Sequence, residues 1–256
     1  PILSRDPREW LNDCQIANDN ALAPRDAGAP PVLFMYPRDD AGAAAALASE
    51  RMVNKARDGR ACGSYVLHVC SGQHWRVLFV CYAERVVYYF EGMGGAPFRR
   101  AQFVSAFKKS LGALEGWRLE VVRLHVQTDN CACGIWVVVA RDCWLEYVAS
   151  DEYGTNAFAE YMERWLRNKG VRHVGNLKGK ERTGASQKNK EYILEERAAM
   201  RDRLVQAAMM NSLEYNAASL ADFAASAGGA DGDASRPPKV IIDLLDDPSD
   251  DDDASP

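Results

Sequence analysis

Apolar and polar residues change over in short blocks through the middle of the chain. SYVLHVC, HWRVLFVCY and RVVYYFEG are dense in Val, Tyr and Phe, and are bounded by Ser71-Gly72-Gln73, by Ala83-Glu84 and by Gly92 to Pro97. Such runs between turn formers predict three neighbouring strands, the second and third joined in a hairpin. LEVVRLHV is a fourth candidate strand. Trp10 to Ile16 has the spacing of an amphipathic helix start, GAPPVLFMYP reads as a short buried segment, and the Ala-, Leu- and Glu-rich stretch from Ala41 to Arg57 favours helix. GIWVVVARDCWLEYVAS, largely buried, and AFAEYMERWLRNKG both read as helices. A small mixed sheet flanked by helices is an α+β domain, here expected over residues 1–170.

Past that point the pattern changes. NLKGKERTGASQKNK has the composition of a linker, so residues 171–190 are expected as a basic linker. Residues 191–227 have helical composition, with apolar positions at Ile193, Leu194, Leu204 and Met209. GGADGDASRPP is a flexible break, and residues 228–256 form an acidic tail too polar to fold alone, expected to be disordered.

Composition narrows the class. With 256 residues, 47% of them hydrophobic, the chain can bury one substantial core but is short for two. Seven cysteines in no regular framework point to reduced thiols in an intracellular setting, nuclear or cytoplasmic. No apolar run approaches the roughly 20 residues of a membrane span, and PILSRDPREW is charged where a signal peptide is apolar. A soluble protein without membrane contact is therefore expected. The net charge of -5 hides a segregation: Arg164 to Lys190 holds nine Lys or Arg against Glu181 alone, and Asp231 to Pro256 holds nine Asp against Arg236 and Lys239. The basic run can meet a nuclear import receptor or an acidic partner, with nucleic acid not the expected one; solvated charge is the plain alternative.

The chemistry centres on QTDNCACGIWV, residues 127 to 137. A cysteine attacks as its thiolate, which a nearby base and a helix N-terminus favour. Cys133 precedes Gly134 and a predicted helix, so it can sit at that helix's positive end with its own N–H turned to an oxyanion. Gln127, six residues upstream, can fold back and offer a side-chain N–H to the same oxyanion. Of the four histidines, His74 opens a predicted strand, and Glu91 closes the next one seventeen residues on. A hairpin brings the two together, so Glu91 can fix the tautomer of a His74 base. The rival is a zinc site built from His68, Cys70 and His74, or from Cys131, Cys133 and Cys143. Neither set has the paired spacing of such sites, so no metal and no cofactor are expected. His125 and His173 are read as structural, and Cys131 as a packing residue with a redox role beside Cys133 as the alternative.

At these residues the chain resembles the SUMO- and ubiquitin-like-protein-specific cysteine proteases, the sentrin-specific proteases, whose papain-like fold is shared with adenovirus protease. The resemblance runs over roughly residues 8 to 165. It lies in Trp10-Leu11-Asn12-Asp13, in His74-Trp75 opening a strand, in Glu91 after an aromatic run, and in Gln127 with Cys133-Gly134 six residues on. It implies a thiol isopeptidase or processing protease that cleaves after the C-terminal Gly-Gly of SUMO or a related protein. Cys133 would be the nucleophile, His74 the proton shuttle, Glu91 its orienting acid and Gln127 an oxyanion donor. Trp10 and Trp75 would flank a tunnel for two glycines, with Asp13 nearby, because flat indoles can close over residues that lack side chains. Glu91 stands where the SUMO-specific branch usually has Asp. Viral proteases and bacterial effector acetyltransferases of the same fold use Glu, which makes acetyl transfer, or action on ubiquitin or NEDD8, the alternative. A non-catalytic SUMO-binding module is the third reading. Finally, VIIDLLDD resembles a SUMO-interaction motif, with Val240, Ile241, Ile242 and Leu244 as the apolar strand and Asp246 to Asp253 as the charge.

Overall fold

The computed structural model describes residues 11–23, 28–58, 63–94 and 102–227, without the side chains of Asp13 and of residues 212–227. Five strands form one mixed sheet in sequence order: β1 Val32–Arg38, β2 Ser64–Ser71, β3 His74–Cys81, β4 Val86–Phe90 and β5 Arg118–Val122. β2 pairs with β3 and β3 with β4 antiparallel, while β1 and β5 join the edges parallel. The helices are α1 Asp13–Leu22, α2 Asp40–Ala48, α3 Glu50–Arg57, α4 Gln102–Lys109, α5 Cys133–Val148, α6 Phe158–Asn168 and α7 Gly179–Ala227. The architecture is α+β, a mixed sheet flanked by helices, as the hydrophobic pattern predicts. Among the described residues no helix is long and apolar enough to cross a membrane.

Alternation along the strands builds a core on each face of the sheet. Trp75, Val77, Phe79 and Cys81 of β3, with Val86, Tyr88 and Phe90 of β4, face α5 and α6. Leu78, Val80, Val87 and Tyr89 point the other way, to Leu47 of α2 and to Phe103 and Phe107 of α4. Burial on both faces is why β4 reads as an unbroken apolar run rather than an alternating one. α5 is likewise buried nearly all round, with Trp144 stacked on Phe79 at 4.9 Å between ring centroids.

Several elements differ from the expectation. The stretch from Ala41 to Arg57 is two helices, because Ser49 takes an extended backbone and its Oγ accepts from Met52 N to cap α3. GAPPVLFMYP holds an edge strand, β1. α4 lies outside the elements the sequence pattern predicts; Phe103 and Phe107, one turn apart, give it a face to bury. The expected domain end near Gly170 and the basic linker over 171–190 need the largest correction. α7 begins at Gly179, and its buried positions Ala185, Asn189, Ile193, Arg197, Met200 and Leu204 recur every three or four residues. The first compact unit accordingly extends to Met210. The second unit, from Asn211, contains the remainder of α7 among its described residues. The tail with Val240, Ile241, Ile242 and Leu244 lies outside the described residues.

Candidate active site

The hairpin between β2 and β3 places the first site residue. Ser71 pairs with His74 across a two-residue turn in which Gly72 and Gln73 have φ of 59° and 60°. Two successive positive φ values make the tight turn that matches strand twist, and glycine takes one of them without strain. His74 is therefore the first residue of β3. In the next hairpin Val77 pairs with Phe90, so one step further Glu91 falls across from Arg76, on the same face as His74. His74 Nε2 and Glu91 Oε2 are 2.7 Å apart. Glu91 is buried, whereas the His74 side chain keeps 18% of its surface in solvent.

Cys133 is the first residue of α5 and is 1% exposed. Its thiol is hydrogen-bonded to His74, and with Nε2 on Glu91, Nδ1 is the ring nitrogen left for the sulfur. The bond to Cys133 first, and that to Glu91 second, push His74 up to about 9 against the opposing effect of burial. The Glu91 carboxylate is better matched by an imidazolium than by a neutral ring.

Asp129 shapes the turn before the helix. Its Oδ1 accepts from the N–H of Cys131 at 3.0 Å and of Ala132 at 2.8 Å, leading the chain into α5. Its carbonyl accepts from Gln127 Nε2 at 2.7 Å, which sets the direction of the Gln127 amide and leaves that nitrogen a second N–H. The Gln127 backbone N–H donates to the Gly92 carbonyl at 2.8 Å, so the residue after Glu91 also holds the oxyanion candidate. Gly92 has no room for a side chain: a Cβ there would lie 2.9 Å from Gln127 Cβ.

Leu11 and Asn12 lie at the start of α1, and Leu11 packs on the start of α5. Asn12 caps α1 in a reciprocal pair with Gln15, each side chain bonding the other's backbone N–H. Trp75 Nε1 donates to the Leu11 carbonyl at 2.9 Å, which locks the segment to β3. Leu11 in turn fills the space that a Cβ on Gly134 would need, at 2.9 Å from its own Cβ. The glycine of the Cys-Gly pair is thus a packing requirement of Leu11. Trp75 is buried at this junction. Trp10 lies outside the described residues, and Asp13 is described only as the first residue of α1.

His74, Glu91 and Cys133 are therefore brought into contact, with Gln127 held in the adjoining turn. Four residues support the site in ways the sequence does not announce, Leu11 among them although it stands in the Trp-Leu-Asn-Asp motif. Asp129 carries a signal in retrospect, an acid just before a helix start. Leu11 and Gly92 act through contacts between segments distant in sequence, which no local pattern announces. The fourth, Asn189 of α7, is buried and donates to the Val126 carbonyl, next to Gln127, at 2.9 Å. The remaining histidines sit elsewhere. His68 is in the core, its Nδ1 3.3 Å from Asn20 Nδ2, and burial together with Arg141 lowers its pKa to about 3. His173 Nδ1 accepts from the His125 backbone N–H at 2.8 Å. Cys131 lies near Asp129, and burial followed by that carboxylate raises its pKa.

No family model matches the chain, and neither does any curated protein. Solved structures do. One is the C-terminal Ulp1 protease domain in complex with Smt3, the yeast ortholog of SUMO, at 13% identity over 77% of this chain and 80% of that one, with a TM-score of 0.39. The catalytic domain of the Chaetomium thermophilum Ulp1-like SUMO protease is 18% identical over 70% and 77%, with a TM-score of 0.40. The central domain of the uncharacterized protein Lpg1148 from Legionella pneumophila is 13% identical over 77% and 99%, with a TM-score of 0.43.

Proposed function

We propose that this chain is a thiol isopeptidase or processing protease that cleaves after the C-terminal Gly-Gly of SUMO or a related ubiquitin-like protein. The observation that carries the reading is the contact of His74 with both Glu91 and Cys133 at the start of α5. In this reading the thiol proton has passed to His74, and Cys133 Sγ attacks the carbonyl carbon of the terminal glycine as the thiolate beside that imidazolium. The charge that develops on oxygen meets the second N–H of Gln127 Nε2 and the Cys133 N–H, which the first turn of a helix leaves without an internal partner. His74 then gives its proton to the departing amine, and a thioester remains. Water, deprotonated by His74, hydrolyses the thioester and restores the thiol.

The substrate class rests on the resemblance in Trp10 to Asp13 and His74-Trp75. Leu11, fixed by Trp75 and Gly134, supports a narrow approach to Cys133 that suits residues without side chains. The 228–256 tail is proposed as a tether: Val240, Ile241, Ile242 and Leu244 would add a strand to SUMO and raise its effective concentration at the site. The second reading, acetyl transfer, draws on Glu91 in place of Asp.

The test is hydrolysis of a SUMO precursor and of a SUMO conjugate, before and after alkylation of the purified protein and with Cys133→Ala alongside. Cleavage after Gly-Gly that disappears in both treatments is expected. Cleavage that survives loss of the Cys133 thiol overturns the reading, and activity that appears only with acetyl-CoA moves it to the second.

A further inference from the structure

Beside Gln127 the surface opens into a groove of about 730 Å³, bounded by Met93 and His125 on one side and by the N-terminal part of α7 on the other. Along α7 the groove is lined by Arg182, Ser186 and Lys190, spaced four residues apart and so on one helix face. The adjacent face, with Ala185 and Asn189, is the buried seam. Arg182 and Lys190 are exposed, and among the described residues neither makes a salt bridge, whereas the neighbouring Arg172 is paired with Glu181 at 2.9 Å. The acid that faces them, Asp129, spends an oxygen on the Cys131 and Ala132 N–H groups. His125 adds little charge, since burial, followed by the Arg182 guanidinium, lowers its pKa. The groove thus presents two cations against one acid occupied by the turn before α5.

Its position gives this charge a use. Neither Leu11 nor Trp75, the described residues of the approach assigned to the Gly-Gly end, lines the groove, while Gln127 does. A substrate carbonyl held at Gln127 and Cys133 has two sides. One is taken by the glycine end; the polypeptide joined to the departing nitrogen needs the other.

We infer that the groove between Met93 and α7 receives the polypeptide on the leaving side of the scissile bond, and that Arg182 and Lys190 select for acidic residues in it. The inference rests on the isopeptidase reading above and adds to it a preference on the far side of the bond. It concerns specificity, since charges at an exposed groove act mainly on partner choice and association rate.

The experiment uses the whole 256-residue chain and the double charge reversal Arg182→Glu with Lys190→Glu. Two substrates share one ubiquitin-like protein and differ in the ten residues after Gly-Gly, one extension acidic and one basic. A third reagent, the same protein tipped with a small electrophile, has no leaving-side polypeptide. The wild type is expected to cleave the acidic extension at about fivefold higher kcat/KM at low salt, as two exposed ion pairs allow. The double variant reverses the order, and raised salt flattens both preferences. All forms react equally with the electrophile. Equal cleavage of both extensions, or a preference that the double variant leaves in place, overturns the inference while electrophile labelling keeps the isopeptidase reading intact. A double variant that no longer labels would make these residues structural and also overturn it. Failure of the wild type to label with SUMO, NEDD8 or ubiquitin removes the isopeptidase reading, and the inference with it.

Discussion

His74 is the residue through which pH reaches this site. Its pKa of about 9 keeps the imidazolium through the neutral range, held by Cys133 and Glu91. In the proposed cycle that proton goes to the departing amine, so kcat/KM should fall above about pH 9. In Glu91→Gln the fall should begin at lower pH, because a carboxylate that holds the imidazolium is gone. The sign for stability follows from the same shift. The folded protein binds this proton more tightly than the unfolded chain, whose histidine titrates near 6.5. The stabilisation is thus complete below about pH 6.5 and is lost as pH rises through 9, so the melting-temperature gap between wild type and Glu91→Gln should narrow across that window. A pH–rate profile with thermal melts checks both, and an unmoved alkaline limb in Glu91→Gln would contradict the assignment. His74, Glu91, Gln127 and Cys133 were legible in the sequence because each sits at an end of an element that patterning announces. Asp129, Leu11 and Gly92 were harder to read, since what they do depends on loop geometry and on atoms brought close by folding.

The element that most alters the picture is α7. Its first turns are rich in Lys, Gly, Ser and Asn, a composition that resembles a linker, and its buried seam includes the polar Asn189 and Arg197, which interrupt the apolar pattern. The helix is held by polar contacts that hydrophobic periodicity cannot register. Asn189 alone donates to the carbonyls of Val126 and Arg172 and accepts from the Arg172 N–H. Asn189→Ala would leave the buried Val126 carbonyl without this donor, at a cost of about 1–3 kcal/mol, and would free the part-buried Arg172 backbone groups to water. Because Val126 adjoins Gln127, the expected signature is a fall in kcat with KM nearly unchanged, together with a lower urea midpoint. Loss of stability with kcat intact would make Asn189 purely structural. The central strands and α5, by contrast, were readable from apolar runs between turn residues, since there burial alone decides the structure.

Across the first compact unit, a buried ion network connects the beginning of the fold to its end. Arg141 of α5 pairs with Asp19 of α1 at 2.7 Å, both fully buried, and Arg203 of α7 reaches Asp19 at 3.0 Å. Breaking a buried pair leaves an uncompensated charge and typically costs about 3–5 kcal/mol. A chain cut after Gly170 loses Arg203, Asn189 and the apolar seam of α7 together, and is expected to lack a cooperative melt. One cut after Met210 should melt near the temperature of the 256-residue chain and keep its labelling by electrophile-tipped substrate. If the 170-residue form melts cooperatively and labels, α7 is dispensable. The central claim is chemical, and the most direct test is covalent: SUMO, NEDD8 and ubiquitin, each carrying an electrophile at the Gly-Gly terminus, are incubated with the protein and with Cys133→Ala, and the adduct is mapped by mass spectrometry. A single adduct on Cys133 with SUMO or a close relative, absent from the variant, is the predicted result. An adduct on another cysteine, or none with any of the three, would contradict the account.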